Sequence, residues 1–175
     1  MARKPAKIYR RFDNHAYTRK EFMRGTPQPK ITMFEHGIKK DYPYRVSLVA
    51  KYNVQVTHAA LESIRVTANK ILSEGCGAQG YFMKIRPYPH HILKEHRQAV
   101  GAGADRVSQG MRHAFGTPVG TAARVRKNQI IIEVQVYKDG INVAKEALRR
   151  ANIKLPAPCR IVIKNLLPES AQPVS

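Results

Sequence analysis

Apolar residues in "YRVSLVAKYNVQV" (44–56) recur at every second place over part of its length, and the stretch is rich in Val and Tyr. That alternation predicts β-strand. The period then changes. Leu61, Ile64, Ala68 and Ile71/Leu72 fall at helical spacing, with Glu62, Arg65, Asn69 and Lys70 elsewhere. An amphipathic helix is predicted from Thr57 or His58 to Gly75. "GYFMKIRPY" (80–88) predicts a further strand.

The same order returns downstream. "TAARVR" (121–126) and "QIIIEVQVY" (129–137) read as strands, the second with Ile130, Ile132, Val134 and Val136 on one face. Asp139-Gly140 makes a turn into a helix carrying Val143, Ala144, Ala147, Leu148 and Ala151, with Glu146 and Arg150 paired at i,i+4. Pro156 and Pro158 stop it, and "CRIVIKN" (159–165) closes as a strand. The two halves share no sequence identity worth calling a repeat. Their shared order predicts an α+β fold: two strand-helix-strand halves forming a compact sandwich of sheet and helices.

Between the halves the pattern lapses. "GAGADRVSQGMRHAFGTPVG" (101–120) has no period and holds five of the eleven glycines. Ala102, Ala104, Met111, Ala114 and Phe115 make it too apolar for an ordinary linker, and its glycines leave it no single shape of its own. It is expected to order against a partner. The predicted organisation is a basic N-terminal arm packed on the core (1–40), one α+β domain (41–167) interrupted by a flexible loop (101–118), and a loose Pro/Ser-rich tail (168–175).

Charge sharpens that picture. The chain carries 31 Lys+Arg against 12 Asp+Glu, a net +19 and a pI near 10.3. Such a field attracts polyanions, nucleic acid first and anionic membrane second. The charge is uneven: residues 1–30 hold nine Lys/Arg and two acids, and residues 84–127 hold the same numbers plus four of the seven His. A solubility device would be spread more evenly, so the blocks favour a binding surface.

Other classes fall away. No apolar run approaches the roughly eighteen residues of a spanning helix, "MARKPAKIYRRF" is no secretory leader, and Ala2 does not fit the myristoylation pattern. The chain reads as soluble and cytosolic, with no membrane partner. Cys76 and Cys159 are too few for a disulfide framework and too isolated for zinc, and buried reduced thiols are expected.

Catalytic motifs are wanting too. Arg106 stands where G-x-G-x-x-G needs its third glycine, and no phosphate-loop signature occurs. In "HILKEH" His91 and His96 are wrongly spaced for a zinc protease, and Ser108 sits in "VSQG" rather than G-x-S-x-G. No enzyme, cofactor or metal site is expected. "QGYFMKI" (79–85) lacks the basic, small and aromatic positions of an RNA-recognition motif, so Tyr81 and Phe82 are expected as sheet residues with one ring in the core.

Candidate polyanion contacts are the basic residues of the two blocks. In the first, Arg3, Lys4, Lys7, Arg10, Arg11, Arg19, Lys20 and Arg24 interleave with Tyr9, Phe12, Tyr17 and Phe22. Those rings either stack on unpaired bases or merely pin the arm to the core. In the second block stand Lys84, Arg86, His90, His91, Arg97, Arg124, Arg126 and Lys127. In the loop, Arg106 and Arg112 are the full positive charges, set among Gly101, Gly103, Asp105, Gly110, Met111 and Phe115.

Taken together, "YFMKIRPYPHHILKEH", "GAGADRVSQGMRHAFGTPVGTAARV", "AKEALRRANIKLPAPCRIVI", the start "ARKPAKIYR" and the central "YPYRVSLVAK…HAALESIRVTANK" closely resemble one family. It is the archaeal and eukaryotic L-ten-e branch of the universal L-sixteen family of large ribosomal subunit proteins. The resemblance covers nearly the whole chain. It implies an α/β hammerhead-type fold, direct binding of large-subunit rRNA through the two basic blocks, and neighbouring ribosomal proteins as partners, with no homo-oligomer expected. It further implies a place near the tRNA corridor below the central protuberance, close to P-site and A-site tRNA. The loop matching residues 101–117 would point toward the peptidyl transferase centre and P-site tRNA. Two alternatives stay open: a free-standing RNA-binding regulatory module, and an enzyme acting on a phosphorylated substrate.

Overall fold

The computed structural model describes residues 7–10, 12, 14–23, 25–95 and 116–166. After a short helix α1 (Lys7–Arg10) come β1 (Glu35–Gly37), β2 (Tyr44–Ala50), β3 (Val54–Thr57), α2 (His58–Cys76), β4 (Tyr81–Ile85) and β5 (His91–Glu95). Then follow β6 (Thr117–Val125), β7 (Ile130–Val136), α3 (Ile141–Asn152) and β8 (Cys159–Asn165). The fold is mixed α+β, with two antiparallel sheets ordered β1-β4-β7-β2-β8 and β3-β6-β5.

The halves do not stand side by side as separate modules. They interleave: β7 of the second half runs between β4 and β2 of the first, and β8 pairs with β2. Each half alone has too few strands to bury its helix, and pooling them makes one sheet wide enough for both helices. Leu61, Ile64, Ala68 and Leu72 of α2 and Ala144, Ala147, Leu148 and Ala151 of α3 are buried in one cluster with Val46, Leu48, Met83, Ile132, Val134 and Val136.

Local chemistry sets the helix ends. The Thr57 side chain accepts a hydrogen bond from the Ala60 N–H at the start of α2, and Gly77, in a left-handed conformation (φ 71°), follows its last residue. The helix therefore runs one residue past the expected stop at Gly75. That glycine has another use: a Cβ there would lie 2.5 Å from Val143 Cγ1. Its bare Cα lets α2 and α3 approach closely.

β7 is buried on both faces, because it is central: Ile131 is buried, and Glu133 is only 2% exposed on the face away from the helices. Tyr81 and Phe82 are sheet residues of β4, both buried, and Tyr81 alone of the two joins the core cluster, as expected; its OH donates to Asn69 Oδ1 at 2.7 Å. Cys76 and Cys159 are free thiols but only part-buried; burial raises the pKa of both, that of Cys159 to about 11.

The second sheet was not foreseen. β5 lies inside a basic run after Pro87 and Pro89, and β6 starts at Thr117, so the end of the glycine-rich segment is strand. Glu95 pairs with Thr117, and Gly116 (φ 75°) packs directly on the Glu95 backbone, where no side chain would fit. Residues 31–37, grouped by sequence with the arm, contribute buried Ile31 and the edge strand β1 paired to β4.

Candidate nucleic-acid interface

The three-stranded sheet turns Val54, Val56, Ala123 and Val125 into the core, which leaves Gln55, Ala122 and Arg124 on its other face. The N-terminal arm lies against that face. Tyr17 N–H donates to His91 Nδ1 at 2.8 Å, and Ile92 N–H donates back to the Tyr17 carbonyl at 2.9 Å. Lys94 Nζ sits 4.0 Å from the centre of the Tyr17 ring. Arg124 holds the arm from the sheet: its Nε donates to Gln55 Oε1, its Nη1 to the Asn14 carbonyl, and its guanidinium covers the Phe12 ring at 5.4 Å.

These contacts decide what several arm residues do. Phe12 and Tyr17 pin the arm, and Tyr9 packs on the core cluster; Phe22, 69% exposed, is turned outward beneath Arg19. Burial, with Arg124 and His90 adding repulsion, pushes the pKa of His91 down to about 4. Its imidazole is thus neutral near pH 7, with Nδ1 as acceptor and the proton on Nε2.

Beside the arm, three loops form one corner. The β2–β3 connection, which passes from the large sheet to the small one, carries Lys51, Tyr52 and Asn53; the β6–β7 turn carries Arg126, Lys127 and Asn128; the α3–β8 loop carries Pro156 and Pro158. Backbone bonds lock them: Ala50 N–H to the Gln129 carbonyl (3.0 Å), Asn128 N–H to the Ala50 carbonyl (2.9 Å), and Lys51 N–H to the Pro158 carbonyl (3.3 Å). Asn53 Oδ1 accepts the Lys127 N–H at 2.8 Å. Asn128 adopts a left-handed turn (φ 67°), which Asn tolerates better than most residues, and its Oδ1 accepts from Arg160 Nη2 at 3.0 Å.

Two grooves open at this corner. One, of about 450 Å³, is lined by Arg10, Tyr52, Asn53, Val54 and the loop 156–158. The other, of about 600 Å³, lies between arm residues Phe12, Asn14, His15 and Ala16 on one side and Arg124, Arg126 and Gln129 on the other. No carboxylate is among the described residues lining either. Such a surface donates hydrogen bonds, offers planar groups for stacking, and repels cations. It suits a polyanion.

The structure thus brings Arg10, Arg124, Arg126 and Lys127 together. Arg19, Lys20 and His90 are exposed elsewhere on the arm side, Lys20 and His90 lining a smaller groove beside Tyr88. Lys84 and Arg86 stand apart. Lys84 is ion-paired with Glu35, whose pKa it lowers, and Arg86 Nη2 lies 2.8 Å from the buried Glu133 carboxylate, with Arg45 Nε 3.9 Å away. Lys7 opens α1. Arg3, Lys4, Arg11, Arg24, Arg97, Gly101, Gly103, Asp105, Arg106, Gly110, Met111, Arg112 and Phe115 lie outside the described residues.

Sequence reasoning missed Lys51, Tyr52, Asn53 and Arg160. The signal was the break in alternation at "KYN", which marks a connection between two strands bearing a cation and a ring. Among the described residues no helix is long and apolar enough to cross a membrane, and no cluster of potential metal ligands occurs.

Comparison with known proteins follows the same direction. A family model described as ribosomal protein L16p/L10e matches residues 12–162. The large ribosomal subunit protein uL16 of Staphylothermus marinus is 53% identical over 169 residues, covering 96% of this chain and 97% of its own. Its counterparts from Picrophilus torridus and Archaeoglobus fulgidus are each 52% identical, over 93% and 94% of both chains respectively.

Proposed function

The chain belongs to the ribosomal protein L16p/L10e family, and from that premise we propose that the arm-and-loop corner clamps large-subunit rRNA by its phosphates. As a family member it is a structural protein of the large subunit of the cytoplasmic ribosome and not an enzyme. The observation that carries the RNA reading is Arg10 in the wall of one groove and Arg124 and Arg126 in the wall of the other, with Lys51 and Lys127 on the adjoining turns and no carboxylate among the described residues lining either. Shape recognition should dominate, because A-form grooves hide most base edges while phosphates stay in reach.

The glycine-rich segment belongs to the same proposal. With Thr117 and Pro118 paired in β6, we read residues 101–115 as projecting from the β5–β6 hairpin toward P-site tRNA and the peptidyl transferase centre, with Arg106 and Arg112 on RNA backbones. Support comes from the family resemblance and from the close pairing of Glu95 with Thr117, which returns the chain to the place it left. The same resemblance supports a position near the tRNA corridor below the central protuberance, and a hammerhead-type reading of the two sheets and paired helices.

Salt tests the clamp. Binding of the purified chain to large-subunit rRNA is measured from low to moderate ionic strength for the unaltered protein, for Arg126→Glu/Lys127→Glu, and for Lys70→Glu/Lys145→Glu, exposed on α2 and α3. Each phosphate contact contributes roughly 0.7–0.9 to the slope of log affinity against log salt. The corner variant should lose about one to two of that slope, while the helix variant keeps it. A salt response that is flat, or equal in both variants, would overturn the assignment.

A further inference from the structure

Tyr52 is an unusual residue to find 62% exposed. It stands in the short β2–β3 connection between the two sheets, and its neighbours Ala50, Lys51 and Asn53 are each hydrogen-bonded to a different adjoining loop or turn residue. The ring is thus presented to solvent by a fixed backbone, not carried by a loose one. Its groove has buried Val54 and the prolines Pro156 and Pro158 in its walls. Proline fixes φ, so that wall is rigid as well.

The rim is of the opposite character. Arg10 lines the same groove, Lys51 and Lys127 stand on the turns beside it, and Arg160 stands at the start of β8 next to its Pro158 wall. An apolar slot with an exposed ring, set inside a cationic rim, matches a group that is flat and apolar on its faces and carries negative charge at its edge. A nucleotide is such a group. Duplex RNA cannot use the slot, since its bases are stacked and its grooves hide them. A protein side chain could fill the slot but would leave the cations unmatched.

We propose that the Tyr52 groove receives one unpaired nucleobase of RNA, stacked on the Tyr52 ring, with Arg10 and Lys51 on the flanking phosphates. This rests on the RNA-binding reading above and adds to it a preference for an unstacked nucleotide at one defined place.

The probe is a single-stranded RNA of about ten nucleotides, within the span such sites cover, with one central 2-aminopurine among uridines. A blunt RNA duplex of the same length is the comparison. The full chain should bind the single strand at low salt and quench the 2-aminopurine. Tyr52→Ala should weaken that binding about tenfold, the usual effect of losing one base–aromatic stack, and abolish the quench without changing duplex affinity. Tyr52→Phe should behave as the unaltered protein. Tyr52→Leu, apolar but without a π-face, should behave as Tyr52→Ala. The position is exposed, so all variants are expected to keep their melting temperature.

The inference is overturned if Tyr52→Ala leaves affinity and quench unchanged, if it weakens both probes alike, or if Tyr52→Leu retains full binding. Duplex binding with a single strand indifferent to Tyr52 removes this inference alone. Failure to bind either RNA removes the RNA-binding reading together with it.

Discussion

Arg124 covers the ring of Phe12 at 5.4 Å while donating from Nε to Gln55, one strand away. One side chain of the small sheet thereby holds a residue more than a hundred positions earlier in the chain, and with it the path of the N-terminal arm.

Arg124→Ala should therefore free the arm without melting the domain. A cation–π contact of this exposure contributes about 0.5–1 kcal/mol, and the bonds to Asn14 and Gln55 add a similar amount. Hydrogen exchange should speed at residues 14–17 and stay unchanged in α2 and α3. Arg124→Lys should recover little, since an ammonium cannot make the same forked contacts.

Glu133 is held on the central strand by Arg86 and Arg45. Glu133→Gln leaves those guanidiniums without their counter-charge in a buried place. Breaking a fully buried pair costs about 3–5 kcal/mol, and because Arg86 is partly open to water the loss here should be nearer 1–3 kcal/mol. Urea unfolding should show a lower midpoint with an unaltered slope, and Arg86→Gln on top of it should cost less than it does alone.

Gly75 touches Val143 where α2 meets α3. Gly75→Ala raises helix propensity but inserts a methyl 2.5 Å from a branched side chain with little freedom to move. Overpacking of this kind costs about 1–3 kcal/mol. A drop in melting temperature is expected, and Val143→Ala should restore part of it in the double variant. Additive losses would show that the two positions do not meet.

The depressed pKa of His91 has a sign that can be checked. Unfolded, the imidazole takes up its proton near pH 6.5; folded, it does so only near pH 4. Between those values the unfolded state binds more protons, so this stabilising term is complete above about pH 6.5 and declines as pH falls toward 4. His91→Asn, which still offers an acceptor to Tyr17 N–H, should flatten that part of the melting-temperature profile. An unchanged difference between the two proteins from pH 7 to pH 4.5 would contradict the neutral, buried ring.

Elements with a strong local period were legible in the sequence. Leu61, Ile64, Ala68 and Leu72 marked α2 because a helix shows its buried face at fixed spacing, and Ile132, Val134 and Val136 marked one face of β7. Neighbours in space left no such trace. Glu133 looked like a solvent residue because its alternation is that of an outward position, and only the pairing of β4 and β2 on either side buries it. β5 was hidden in a run of prolines and cations. The arm residues were legible as charge and rings, but which ring pins and which ring faces out depends on Arg124 and Lys94, far along the chain. Tyr52 was passed over because one aromatic in a short connection between strands has no pattern to belong to; its setting comes from three loops that only the fold assembles.

The central claim is that the corner of Lys51, Arg126 and Lys127 is the face turned to RNA. Lysine acetylation footprinting of the free chain against purified large subunits containing it tests this most directly. Lys51 and Lys127, both exposed in the free protein, should lose most of their reactivity in the particle and regain it after nuclease digestion of the RNA. Lys51 and Lys127 that react in the particle as they do in the free chain would contradict the account.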